Sequence, residues 1–244
     1  MELLLALIPV ATGLIGYAWG RHRHALKRKV LGREPIHVHI EQDPDIIYAN
    51  DPNWVTFPYF FPNRSSDDLP SPPQDKCTAW WKWAKELGGE PAGLMELQVT
   101  ITAWEDLRVI VDALRIEVVS TPTPPPGTTV VCPVGGADLV HEQLAVTLSE
   151  FSSTVIPRAA GSAEVTKKFA FTLGPSESYR FSLSVTPSDE PIQCYEWVAL
   201  LDLLVNNERK TVRVDNDGRP FILHTQGFRD AHQWEGVSWK PYAF

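Results

Sequence analysis

The most regular pattern in the chain is an alternation of apolar and polar residues that begins near Leu94 and recurs as far as Val214. Such a period of two places one face of a strand in a core and the other in solvent. It predicts strands at 36–40, 94–103, 107–119, 139–148, 165–173, 179–185, 192–204 and 211–214. Many strands and a single helix predict a mostly β protein, an Ig-like antiparallel β-sandwich with one capping helix.

The pattern changes to a helical period at 76–87. Cys77, Trp80, Trp81, Ala84 and Leu87 form one apolar stripe, preceded by Asp75 as an N-cap and ended by Gly88-Gly89. This helix is predicted to cap a sheet. Trp83 lies off the centre of the stripe, where packing against the domain is favoured over a functional aromatic platform.

The first twenty residues predict a single transmembrane helix. Residues 3–19 are apolar and uncharged, and they are just long enough to cross the hydrocarbon core. A cleaved signal peptide is disfavoured because the chain starts with Met-Glu and its positive charges follow the apolar run instead of preceding it.

Residues 21–34 are predicted to form a basic juxtamembrane stalk that contacts anionic lipid. Its basic residues are Arg21, Arg23, Lys27, Arg28, Lys29 and Arg33. Because cytoplasmic flanks of membrane helices are enriched in Lys and Arg, we expect a single-pass protein of the cell membrane whose soluble domain faces the cytoplasm.

The soluble part is predicted to be one β-sandwich domain at 35–225 with a tail at 226–244. The domain includes an irregular segment at 50–73 that is rich in aromatic residues and proline, a proline-rich loop at 121–127 and a hairpin turn at 215–218. Large apolar side chains in the tail are expected to dock on the domain, with partner binding as the alternative. The candidate binding residues are Trp83, Trp234, Trp239, Tyr242 and Phe244.

Charge argues against one class of partner. The chain carries a net charge of −8, and after the basic stalk residues 34–244 hold 16 basic (22 minus 6) and 29 acidic (30 minus 1) side chains, a net −13. A domain of this charge lacks the basic footprint that neutralises phosphates, so nucleic-acid binding is not expected.

The sequence lacks the common catalytic motifs: nucleophile elbow, zinc-protease helix, phosphate-binding loop and paired Cys-x-x-Cys. The remaining candidate is His37-x-His39-x-Glu41, three side chains on one face of a predicted strand that could ligate zinc or iron. The alternation also arises when a strand simply turns its polar face to water, and this interpretation is favoured. We therefore expect no metal site and no cofactor.

The cysteines can be read either as free thiols or as a disulfide. Cys132 and Cys194 both lie in the β part, and a bond between them would close a long loop. Because the cytoplasm keeps thiols reduced, free thiols are expected in preference to that disulfide.

Three stretches resemble uncharacterised β-rich domains of actinobacterial proteins. They are Cys132-Pro-Val-Gly-Gly-Ala137, Cys194-Tyr-Glu-Trp197 with Leu201-Asp202, and Val214-Asp-Asn-Asp-Gly-Arg-Pro-Phe221. The resemblance spans about residues 80–221, and it implies a sandwich-like fold and a bacterial source without an activity.

The leading functional hypothesis is a membrane-anchored, non-enzymatic interaction module that holds a protein partner at the inner membrane surface, as an adaptor, sensor or assembly anchor. One alternative is a metal-dependent enzyme that uses His37, His39 and Glu41. Another is an extracytoplasmic sandwich that binds a ligand or sugar through tryptophans, which requires the opposite topology.

Overall fold

Most of the chain that the computed structural model describes is extended. The described residues are 34–49, 57–73, 77–132, 143–150, 153–158, 169–188, 193–227 and 230–243. Their strands are β1 Ile36–Glu41, β2 Tyr59–Pro62, β3 Glu90–Pro91, β4 Met95–Ala103, β5 Val109–Ser120, β6 Gly127–Val131, β7 Gln143–Leu148, β8 Thr154–Arg158, β9 Phe171–Leu173, β10 Ser178–Pro187, β11 Cys194–Val205, β12 Glu208–Val214, β13 Phe221–His224, β14 Ala231–Trp234 and β15 Trp239–Pro241. The helices are α1 Pro44–Ile47 and α2 Trp80–Glu86, with a 3₁₀ turn at Ser66–Asp68.

The strands form three sheets. The first sheet has the order β1-β4-β10-β7-β8. The second has the order β12-β11-β5-β9, with β13 also paired to β11. The third has the order β15-β14-β6-β2-β3.

The first and second sheets share one apolar core, as expected for a sandwich. In β4 the residues Leu97, Val99 and Ile101 are fully buried, whereas the intervening Gln98 and Thr100 are half-buried on the outer face. Strand β11 of the second sheet contributes alternate side chains to the same core. The prediction of a mostly β fold with packed sheets is therefore confirmed.

The third sheet was not predicted, and it builds a second core with α2. That core contains the buried Phe61, Trp80, Val130 and Trp239, among others. Strand β2 lies within the segment predicted to be irregular. Its aromatic residues pack against the domain as expected, but as a strand between β3 and β6.

Two strand pairs depart from the predicted antiparallel arrangement. Strand β7 pairs in parallel with β10, and β14 pairs in parallel with β6. Neither partner is adjacent in the chain, so hairpin reasoning from the sequence could not give their direction.

The capping helix is shorter than predicted. It begins at Trp80 after a turn in which Cys77 and Ala79 have positive φ. The backbone N–H of Ala79 donates a 2.7 Å hydrogen bond to Oδ2 of Asp45, which lies in α1. The start of α2 is therefore supported by a residue of another segment. Asp75, the predicted N-cap, lies outside the described residues.

The predicted tight turn and proline-rich loop are both present, but the turn does not join neighbouring strands, because β12 and β13 pair with the same edge of β11. Asp217 and Gly218 have φ of 53° and 84° between the paired Asn216 and Arg219, as a tight hairpin turn requires. The loop at 121–126 leads directly into β6.

The predicted membrane helix at 1–20 and the stalk at 21–33 lie outside the described residues, and none of the described helices is long and apolar enough to span a bilayer.

Candidate binding site

Four tryptophans meet where α2 packs on the third sheet. The rings of Trp80 and Trp83 stack at 4.8 Å with an interplanar angle of 18°. Trp239 in β15 lies 5.9 Å from Trp83, and Trp234 in β14 lies 5.4 Å from Trp239. Residues that are distant in sequence are thus gathered into one aromatic cluster.

Hydrogen bonds fix the two buried members of this cluster. Trp80 Nε1 donates to the carbonyl of Phe57 at 2.9 Å, and Trp239 Nε1 donates to that of Leu69 at 3.4 Å. Trp83 and Trp234 are half-buried, and we call this pair the tryptophan face. Its two outer rings rest on immobilised neighbours, so little side-chain entropy remains to be lost on binding.

A disulfide joins the turn before α2 to the end of β6. Cys77 is bonded to Cys132 with their Cα atoms 5.9 Å apart, a separation usual for disulfides. Cys194 is buried and free. The predicted alternative pairing of Cys132 with Cys194 is wrong, and Cys132 is not a free thiol in this structure. The actual pairing depends on the third sheet, which brings β6 beneath α2.

A small cavity lies beside α2, where residues of the first and third sheets meet. Its volume is about 10 Å³, room for about one water molecule. It is lined by Gln42, Pro44, Phe57, Tyr59, Trp81, Pro91, Leu94, Met95 and Glu96. Glu96 is the only acid among these described lining residues, and none of them is a base.

Glu96 occupies an outer-face position of β4 but is 7% exposed. Its Oε2 atom is buried and has no hydrogen-bond partner among the described residues. Burial raises the pKa of this carboxyl group to about 7, while the hydroxyls of Ser184 and Tyr48 act in the opposite direction. A carboxyl group that changes charge near neutrality in a cavity is typical of functional sites.

A second buried polar contact joins the third sheet to the second. His224 Nε2 in β13 lies 2.6 Å from Glu90 Oε2 in β3. The His224 carbonyl also accepts a 2.7 Å hydrogen bond from the N–H of Gly93, and the Phe60 ring packs 4.3 Å from the imidazole.

Cys194 lies directly opposite His224 in the β11–β13 pair. Burial, with smaller contributions from Glu90 and Glu196, raises the pKa of its thiol to about 12. The thiol is thus protonated at neutral pH and unsuited to act as a nucleophile.

The outer face of the second sheet carries an open groove of about 710 Å³. Its main polar groups already satisfy one another, because Arg115 contacts Asp202 through two hydrogen bonds of 2.6 and 2.8 Å. The Arg115 guanidinium lowers the pKa of the Asp202 carboxyl group, and Thr211 adds a further hydrogen bond. Arg115 and Asp202 thus bind each other, while Asp112, Arg209 and Lys210 also line the groove.

The predicted metal candidates do not form a site. His37 and His39 are exposed on β1, and Glu41 Oε1 instead accepts hydrogen bonds of 2.9 Å from the N–H groups of Gln42 and Asp43. Within the described residues no three His, Cys, Asp or Glu side chains are arranged to hold a metal ion.

Three of the predicted aromatic binding candidates lie close together. Within the tail, the Tyr242 N–H donates a 2.7 Å hydrogen bond to the carbonyl of Ala231. Trp83, Trp234 and Trp239 come together in the aromatic cluster, and β14 of the tail pairs with β6 of the domain. The tail therefore docks on its own domain, as expected. Phe244 lies outside the described residues.

Sequence reasoning missed Glu96 and His224. Glu96 follows the polar phase of an alternating strand and gives no signal of burial. A pairing of His224 with Glu90 could not be inferred for residues 134 positions apart.

Comparisons with known proteins add no family. No protein-family model and no curated protein matches this chain. A solved structure that is similar to it is the X-ray structure of Northeast Structural Genomics Consortium target SoR45, with 10% sequence identity, coverage of 79% of this chain and 88% of that chain, and a TM-score of 0.29.

Proposed function

We propose that the chain is a membrane-anchored, non-enzymatic interaction module that binds a protein partner through the tryptophan face. The observation that carries this proposal is the pair of partly accessible rings, Trp83 and Trp234, held on buried Trp80 and Trp239. Tryptophan is enriched among the residues that dominate protein–protein binding energy, and preorganised rings lose little entropy on association.

The charge of the domain indicates what kind of partner fits. Residues 34–244 carry a net −13, so a basic protein surface would be attracted and an acidic one repelled. The partner in this proposal is therefore a positively charged protein that meets the module at the membrane.

The location of the module is part of the proposal. The apolar run at 3–19 and the basic cluster at 21–33 support an anchor in the membrane with the domain on the cytoplasmic side. Protease added to intact spheroplasts should leave the domain uncut, and cleavage without membrane rupture would contradict this orientation. We likewise propose that the two-sheet sandwich is Ig-like.

Photocrosslinking in cells tests the binding surface. A photoreactive amino acid is placed at Val237, which is 86% exposed in the turn between β14 and β15 near the tryptophan face. The matched control position is Val119, which is 46% exposed on β5 of the second sheet. We expect a discrete adduct from Val237 that disappears in Trp83→Ala and Trp234→Ala. Equal adducts from both positions, or an adduct insensitive to the two substitutions, would refute the tryptophan face as the binding surface.

A further inference from the structure

We propose that the cavity over Glu96 binds a primary ammonium group, such as a lysine side chain presented by the protein partner. The starting observation is a buried carboxylate oxygen, Glu96 Oε2, that has no hydrogen bond of normal geometry from the described residues, with only the Ser184 and Tyr48 hydroxyls acting on the carboxyl group. A buried acceptor without a hydrogen bond costs free energy, and the cavity beside it is the place from which a donor could reach it.

The walls of the cavity suit a cation. Phe57, Tyr59 and Trp81 supply aromatic rings, and Gln42 adds an amide group whose oxygen can accept a hydrogen bond. An aromatic wall next to a carboxylate is the combination that stabilises an ammonium ion by both cation–π and charge-assisted hydrogen bonding.

None of the described residues that line the cavity is cationic. The Ser184 and Tyr48 hydroxyls interact with its carboxyl group, and Asp43 acts on Tyr59, which lines the cavity. Each of these groups is acidic or neutral. No described lining residue therefore neutralises the carboxylate before a cation enters.

The volume selects among cations. A space of about 10 Å³ takes a group the size of one water molecule. An ammonium head fits that space, whereas a planar guanidinium or a trimethylated nitrogen does not. The inferred ligand is therefore unmethylated lysine or another primary amine, with arginine excluded.

This inference deepens the proposed function, because α2 carries both features: Trp81 lines the cavity, and Trp83 belongs to the tryptophan face. A partner that covers α2 could insert one lysine beside the tryptophans.

The test uses the purified full chain and two cations, n-butylammonium and tetramethylammonium chloride, titrated by calorimetry at equal ionic strength and about pH 8, where Glu96 is ionised. We expect saturable binding of n-butylammonium alone, weakened roughly tenfold or more in Glu96→Gln. Glu105→Gln, which removes an exposed carboxylate between β4 and β5, should bind like the parent. The same titration at about pH 5.5 should be weaker, because Glu96 is then protonated.

The folding of Glu96→Gln is checked by comparing its thermal midpoint with that of the parent at about pH 5.5. At that pH the parent carries a neutral carboxyl group of the same shape. Equal binding of both cations, unchanged binding in Glu96→Gln, or no saturable binding at all would overturn the proposal. The cavity would then hold water only. A Val237 adduct that persists after such a result would leave the proposed function intact, whereas amine binding without that adduct would support the cavity and refute the tryptophan face.

Discussion

Glu90 Oε2 and His224 Nε2 lie 2.6 Å apart and join β3 of the third sheet to β13 of the second. The imidazole is almost completely buried and the carboxylate is about one-third exposed. Removing one partner of such a contact leaves the other without its hydrogen bond.

We expect His224→Ala to lower the free energy of unfolding by about 2–4 kcal/mol, because it removes both the contact with Glu90 and the packing against Phe60. Urea unfolding at neutral pH measures this. The matched control is His37→Ala on the exposed face of β1, which should change stability by less than about 0.5 kcal/mol. A double-mutant cycle with Glu90→Gln should show coupling, and strictly additive effects would contradict a direct interaction.

Glu96 makes stability depend on pH in a stated direction. Its pKa is raised from 4.5 to about 7 in the folded protein, so the folded state holds the proton more tightly than the unfolded state. The contribution of Glu96 to the free energy of unfolding is fully present below about pH 4.5. It is lost as pH rises towards about 7, by a total of about 3 kcal/mol. Denaturant midpoints across that range should fall in the parent and fall less steeply in Glu96→Gln. Parallel pH profiles for the two proteins would show that Glu96 is not the group responsible.

Within the tail, substitution of Trp239 should reduce the stability of the fold most. It is buried against Trp80, Trp83 and Trp234 and donates to Leu69. Trp239→Ala is expected to cost about 3–5 kcal/mol through the cavity it creates. Val237→Ala, in the exposed turn two residues earlier, should be neutral. Thermal unfolding of both variants gives the comparison, and similar midpoints would mean that the tail contributes little to the second core.

The disulfide permits a test of both stability and location. Cys77 and Cys132 are 55 residues apart, and closing a loop of that length stabilises the folded state by about 4 kcal/mol in the chain-entropy model. Purified oxidised protein should therefore resist urea better than reduced protein, with Cys194→Ser as the control that keeps the bond. In cells, alkylation at the moment of lysis should trap Cys77 and Cys132 as thiols if the domain is cytoplasmic. A bond already present in cells would contradict that orientation.

The two-sheet sandwich could be predicted because its strands bury one face only. Alternation in β4 and β11 follows directly from a core on one side and solvent or polar cover on the other. The third sheet gives no such signal. Consecutive residues are buried at 59–61 in β2 and at 128–131 in β6, on both faces of each strand, so their sequences show no alternation of apolar and polar residues.

The candidate site was predictable in part, from the types of its residues. Trp83, Trp234 and Trp239 stand out by residue type, and large aromatic side chains usually pack together. Glu96 cannot be recognised in this way, because its burial depends on a covering segment that includes Gln42 and Tyr48, about fifty residues away in the chain. The partner of Cys132 was hidden likewise, since its pairing depends on the placement of β6.

The strand order of the third sheet has a consequence for how the protein is made. Its central strand β6 is flanked by β2, which precedes it by about 65 residues, and by β14, which follows it by about 100. During synthesis the sandwich strands up to β13 emerge before β14 and β15. The aromatic cluster can close only after those last strands leave the ribosome, so the binding surface is completed late and its apolar residues are exposed to chaperones until then.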